Sequence, residues 1–165
     1  MPEATANRLI IFRDLIQYRL LQLPSGSGWT EICRLAALIY SYGIFYPLPD
    51  PRPTTRLAHK LGRLMLRLWP TPAVICNLRF LLWGAFMGGI ATAGSAKQYI
   101  FVTFIAQYVT TAGIVGWDAI SSLLEEFLWL ECACGEIARL LLEQSMLLDA
   151  DTESIHETEE ELQYL

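Results

Sequence analysis

The sequence predicts an all-α protein: six to seven helices packed as a single helical domain over residues 1–148, followed by a flexible acidic tail over 149–165. Apolar residues recur at three- and four-residue spacings along most of the chain. Proline and glycine clusters separate these periodic stretches with turn chemistry. Finally, the run from Phe80 to Leu130 holds 17 residues without a charge (80–96) and then, after Lys97, 20 more (98–117). Segments this apolar are either the innermost helices of a helical domain or a membrane hairpin.

The first helix is read from Asn7 to Leu23, where Leu9, Phe12, Ile16, Leu20 and Leu23 mark one apolar stripe and the Pro24-Ser25-Gly26-Ser27-Gly28 stretch stops it. Arg8, Arg13 and Arg19 on this helix read as solvated or paired. A second helix runs from Trp29 to Tyr46, with Ile32, Leu35, Ala36, Ile39, Gly43 and Tyr46 on one face and Thr30 or Ser27 placed to cap it. The alternating prolines of Pro47-Leu48-Pro49-Asp50-Pro51-Arg52-Pro53 deny the backbone helical donors and predict a rigid loop. The alternative for that stretch is a docking site for a proline-binding module.

A third helix is expected from Thr55 to Trp69. Leu57, Leu61, Leu64, Met65 and Leu68 fall on one side and Arg56, Lys60, Arg63 and Arg67 on the other. Its basic face is read as solvated or turned toward the acidic rear half, the alternative being an anionic membrane or an acidic partner. Beyond Pro70 and Pro72 come two apolar helices, Ala73–Ala93 and Ala96–Ala112. Gly84 and Gly88 in the first of them match G-x-x-x-G, a spacing that permits close approach of another backbone. Gln98, Gln107, Thr103, Thr110 and Thr111 in the second would need partners inside lipid, which favours a protein interior. A sixth helix begins at Asp118 with the stripe Ile120, Leu123, Leu124, Phe127 and Leu128. A seventh covers Gly135–Leu148, with Arg139 spaced to pair with Glu136 and Glu143.

The tail carries Asp149, Asp151, Glu153, Glu157, Glu159, Glu160 and Glu161, with Ile155, Leu162, Tyr164 and Leu165 set among them. This composition reads as a solvating tail; the alternative is a disordered activation segment.

Composition sharpens the picture. Hydrophobic residues make up 53% of the chain and mean hydropathy is +0.34, so the excess must be buried, paired with a partner or placed in a membrane. The net charge of -5 conceals a polarity. Residues 1–79 carry ten Lys/Arg against four Asp/Glu, and residues 80–165 carry two against thirteen. This favours packing of the basic front on the acidic rear, or a charged partner for either half. Cys33, Cys76, Cys132 and Cys134 form no C-x-x-C pair and, with only His59 and His156 beside them, supply no zinc spacing. They read as buried thiols of a reducing compartment.

The sequence contains no G-x-S-x-G elbow, phosphate-binding G-x-x-x-x-G-K, G-x-G-x-x-G or H-E-x-x-H motif. No local signature pairs a cysteine with His59 or His156 as nucleophile and base. The carboxylates Glu125/Glu126 and Glu159 to Glu161 lie on an exposed face and in the tail, where a raised pKa is not expected. No catalytic, cofactor-binding or metal-ligating residue is therefore assigned, and no cofactor is expected.

Three segments carry a family resemblance: GWTEICRLAALIYSYGIFYPLP (28–49), LLWGAFMGGIATAG (81–94) and GWDAISSLLEEFLWLECACGEIARLLLEQ (116–144). The features are a tryptophan before a glycine-rich helix (Trp83, Gly88, Gly89), a tryptophan opening an amphipathic helix (Trp117), and Phe127-Leu128-Trp129 ahead of Cys132. Over roughly Trp29–Gln144 the chain resembles the C-terminal part of the fungal-specific transcription factor domain, the all-helical regulatory region downstream of a binuclear zinc-cluster DNA-binding domain. The resemblance implies transcriptional regulation, a buried glycine-rich helix and a nuclear or cytoplasmic protein. The six closely spaced cysteines of a zinc cluster are not in this sequence, so direct DNA binding by this chain is not expected. The expected partner is another protein or a second copy of the chain. The alternative is a small integral membrane protein with a helical hairpin at about 80–117.

Overall fold

The computed structural model describes residues 2–24, 26, 28–45, 50–69 and 78–163; of residues 2–7, 9, 45 and 149–163 only the backbone is described. Seven α-helices lie among the described residues: α1 (Pro2–Gln22), α2 (Trp29–Tyr40), α3 (Arg52–Leu68), α4 (Leu78–Ala91), α5 (Gln98–Ala112), α6 (Trp117–Leu124) and α7 (Glu131–Gln163). Among these residues there is no strand, and the fold is all-α as the periodicities predict.

α4 is the axis of the molecule. Every residue from Leu81 to Gly89 is buried, as befits a helix apolar all round that must be covered on every side. α2, α3, α5, α6 and α7 all pack on it. Two glycines set the closest approaches. A Cβ on Gly88 would collide with the ring of Phe101 from α5, and a Cβ on Gly89 would lie 2.8 Å from Leu141 Cδ1 of α7. Gly84 has only ordinary contact with Ile32, at 3.6 Å. What fills the groove is thus an aromatic ring. Phe101 is held between Gly88 and Gly62 of α3, whose Cβ position is 3.3 Å from the same ring.

α2 presents Ile32, Leu35, Leu38 and Ile39 to the core, all at 0–1% exposure. Gly28, with φ 86°, occupies its N-cap position, where Thr30 or Ser27 was expected; Ser27 lies outside the described residues. At its C-terminus α2 widens into a π turn, Ser41–Phe45, a form found in single-turn pieces. Residues 46–49 of the proline stretch lie outside the described residues. α3 begins at Arg52, inside the segment read as loop, because proline in the first turn sacrifices an N–H that has no helical partner there. Thr54 and Thr55 hydroxyls donate to the Pro51 carbonyl at 2.7 and 3.0 Å.

The turn after α4 is closed by side chains: Thr92 Oγ1 donates to the Gly88 carbonyl at 2.8 Å and Ser95 Oγ to that of Thr92 at 2.8 Å. α5 ends on Gly113 at φ 62°, and its left-handed conformation sends the Gly113 and Ile114 N–H groups back to the Thr110 and Val109 carbonyls. Gly116, at φ 89°, then opens α6. The stretch 125–130 folds over α4: Trp83 and Phe127 stack with centroids 5.7 Å apart, Phe80 lies 5.8 Å from Trp83, and Trp83 Nε1 donates to the Leu128 carbonyl at 2.9 Å. Trp83 is 2% exposed. Trp117, which opens α6, is half-buried and lies beneath the Arg139 guanidinium, 4.7 Å from its ring centroid.

α7 starts four residues before the predicted Gly135, and its backbone remains helical to Gln163, a span in which glutamate is a favourable helix former. Arg139 bonds Glu131 at 2.6 Å, eight residues back, where Glu136 and Glu143 were the expected partners.

No single described helix is long and apolar enough to cross a membrane. α5 and α6 reach that length and composition only together, and they are bent by 104° relative to one another.

Candidate interaction surface

α1 departs most from its sequence reading. The stripe expected to face the core contains Phe12, Ile16 and Leu23, which are 59%, 51% and 46% exposed. The side turned inward carries Gln17, 7% exposed, whose amide donates to Ser41 Oγ in the π turn at 3.0 Å. A cavity of about 180 Å³ remains between α1 and α2, lined by Arg13, Ile16, Leu20, Ala37, Tyr40 and Leu128. α1 packs on α2 and the π turn, and Ile11, Phe12, Leu15 and Tyr18 point away from both at 49–66% exposure. Arg8 and Arg19 are exposed on the same outward side, while Arg13 bonds Asp14 at 2.6 Å.

A second surface follows the outer side of α5. Tyr99, 63% exposed, separates a groove of about 330 Å³ bounded by Leu66, Trp69 and Phe104 from one of about 320 Å³ bounded by Val102, Leu147 and Leu148.

The strongest electrostatic feature was not legible as a site. Glu31 is 2% exposed in the first turn of α2, and accepts from Arg34 Nε and Nη2 at 2.7 Å each and from Lys60 Nζ at 2.7 Å. The Arg34 guanidinium is the chief cause that holds the Glu31 carboxyl down at about 2, with Lys60 assisting against the opposing effect of burial. Arg34, 7% exposed, is raised by the same bond. Because every charge has its partner, the cluster locks α3 to α2. The signal was present: Glu31 and Arg34 stand three apart on the helix whose neighbouring Ile32 and Leu35 were assigned to the core. Lys60, read as part of a basic face toward solvent or the acidic rear, is committed to the basic front half. Front and rear are bridged by Arg79 and Glu126 at 2.9 Å, an exposed pair.

The titratable residues singled out in the sequence do not converge. His59 is half-buried on α3 beside Thr55, Arg56 and Lys97. Cys33 and Cys132 are exposed and Cys134 is buried, so only the last fits the expected buried thiol; burial pushes it up. Cys76 lies outside the described residues, as do the side chains of His156 and Glu159 to Glu161. Among the described residues no three His, Cys, Asp or Glu side chains gather as metal ligands.

No curated protein and no solved structure is similar enough to the chain to count as a match. The model of the fungal specific transcription factor domain matches residues 4–126, from α1 through α6 and into the stretch after it. It takes in α1, which the sequence resemblance left out, and stops before α7. With about three quarters of its length matched and an all-α fold centred on a buried glycine-rich helix, the chain belongs to the fungal specific transcription factor domain family.

Proposed function

We propose that this chain is a non-enzymatic regulatory module that acts in transcription by binding another protein through the outward face of α1, within the nucleus. The observation that carries this reading is the exposed apolar face of α1 in a member of a transcription factor domain family. Exposed apolar patches of this kind mark interaction sites in proteins whose cores are otherwise closed.

The test fuses the full chain to a heterologous DNA-binding module and reads a reporter in a fungal cell. The expected result is a several-fold change in output that the Phe12→Asp/Leu15→Asp variant abolishes at unchanged protein level and unchanged helical circular dichroism. Output indistinguishable from the DNA-binding module alone would count against the proposal.

A further inference from the structure

Seven of the fifteen large hydrophobic side chains exposed among the described residues lie between Ile11 and Leu23. The outward side of α1 that holds Phe12, Leu15 and Tyr18 also bears the exposed Arg8 and Arg19, and its nearest acid, Asp14, is bonded to Arg13. A basic apolar face calls for an acidic apolar occupant. The chain contains one. Residues 149–165 hold seven Asp/Glu, no Lys or Arg, and the hydrophobics Ile155, Leu162, Tyr164 and Leu165.

We propose that the outward face of α1 binds the acidic segment 149–165 of a second copy of the chain, so that two copies close into a reciprocal dimer. The inference rests on the reading of α1 as the interaction surface and names its occupant. The lengths are comparable: α1 spans 21 residues, about 31 Å, and the 15 residues 149–163, helical in their backbone, span about 22 Å. Within one copy α1 is anchored on α2 and the π turn, whereas α7 is anchored on α4 and α5. Exchange between copies satisfies both faces at once, and a two-fold arrangement closes without leaving either unpaired. Two such docks bury on the order of 1,000 Å² in total, the lower end of specific interfaces. Each helps the other by effective concentration. Acidic residues keep the segment in water until the arginines of the partner's α1 neutralise them, which makes the association weaken with salt.

Sedimentation velocity of the full chain at micromolar concentration tests this. Expected is a species of twice the 18.7 kDa chain mass at low salt, dissociating as salt rises. Leu15→Asp, on the outward face, weakens it about tenfold or more while leaving the helical signal intact. Two charge variants decide the occupant: Arg8→Glu/Arg19→Glu, and Glu153→Lys/Glu157→Lys/Glu159→Lys/Glu160→Lys/Glu161→Lys, which leaves the segment with five lysines against Asp149 and Asp151. Each alone sediments as a monomer, and an equimolar mixture forms a heterodimer, because each variant's α1 then faces a segment of opposite charge. A wild-type monomer throughout overturns the inference, as does a dimer indifferent to Leu15→Asp. A dimer broken by the α1 changes but not by the lysine changes shows α1 meeting something else, and a mixture that stays monomeric overturns the proposed pairing. A monomeric wild type that still shifts the reporter, with the shift lost in Phe12→Asp/Leu15→Asp, separates failure of this inference from failure of the functional reading.

Discussion

Gly88 illustrates how one missing methyl can set the distance between helices. The Phe101 ring occupies the space where a Cβ would stand, so Gly88→Ala is expected to destabilise the fold by about 1–3 kcal/mol through overpacking. Urea denaturation measures it, and Phe101→Leu in the same chain should recover part of the loss in a double-mutant cycle. Glu31 offers a second test at this scale. Its folded pKa of about 2 lies below the ordinary glutamate value of 4.5, so its contribution is fully present above about 4.5 and is lost as pH falls toward 2. Thermal unfolding between those values should show a falling midpoint that flattens in Glu31→Gln. That variant should also cost about 3 kcal/mol at neutral pH, since Arg34 is left buried without its counter-charge.

At the scale of elements, α1 and the stretch 125–130 are attached by few but specific contacts. Trp83 supports the latter through both its stack on Phe127 and its bond to the Leu128 carbonyl. Trp83→Phe should retain most of the stack and cost about 1–2 kcal/mol for the lost donor. Trp83→Ala should cost about 3–5 kcal/mol as a cavity is added. Equilibrium denaturation distinguishes them; equal losses would show that the ring's hydrogen bond contributes nothing. α1 hangs on Gln17 and Ser41. Gln17→Ala should therefore speed hydrogen exchange of α1 amides while those of α4 keep their protection, because helices opening at low free energy are those with little buried contact.

At the scale of the whole molecule, the first half of the long apolar run becomes interior and the second half does so along one side only. α4 is covered by its neighbours, and α5 turns its buried side, Phe101, Val102, Phe104 and Ile105, to them while Gln107 and Thr111 stay exposed. Alkaline carbonate extraction of cells should accordingly release the chain into the supernatant. Retention in the pellet would instead support the hairpin at 80–117. The exposed Arg79–Glu126 bridge between basic front and acidic rear should matter little, with Arg79→Ala changing the unfolding free energy by less than about 1 kcal/mol.

The all-α class, the order of the helices and the central place of the glycine-rich segment were legible in the sequence because periodicity, proline and glycine act locally: Ile32, Leu35 and Ile39 follow one face of α2 wherever that helix is placed. The direction of α1 was not. Its apolar residues are spread around the helix, so spacing alone could not say whether Phe12 or Gln17 turns inward; the Ser41 hydroxyl, 24 residues away, decided it. The same holds for Lys60, which looks solvent-bound on its own helix until Glu31 of α2 lies within 2.7 Å. Residue pattern determines what a helix is made of, whereas which of its sides is left for a partner depends on neighbours that only the tertiary fold brings near.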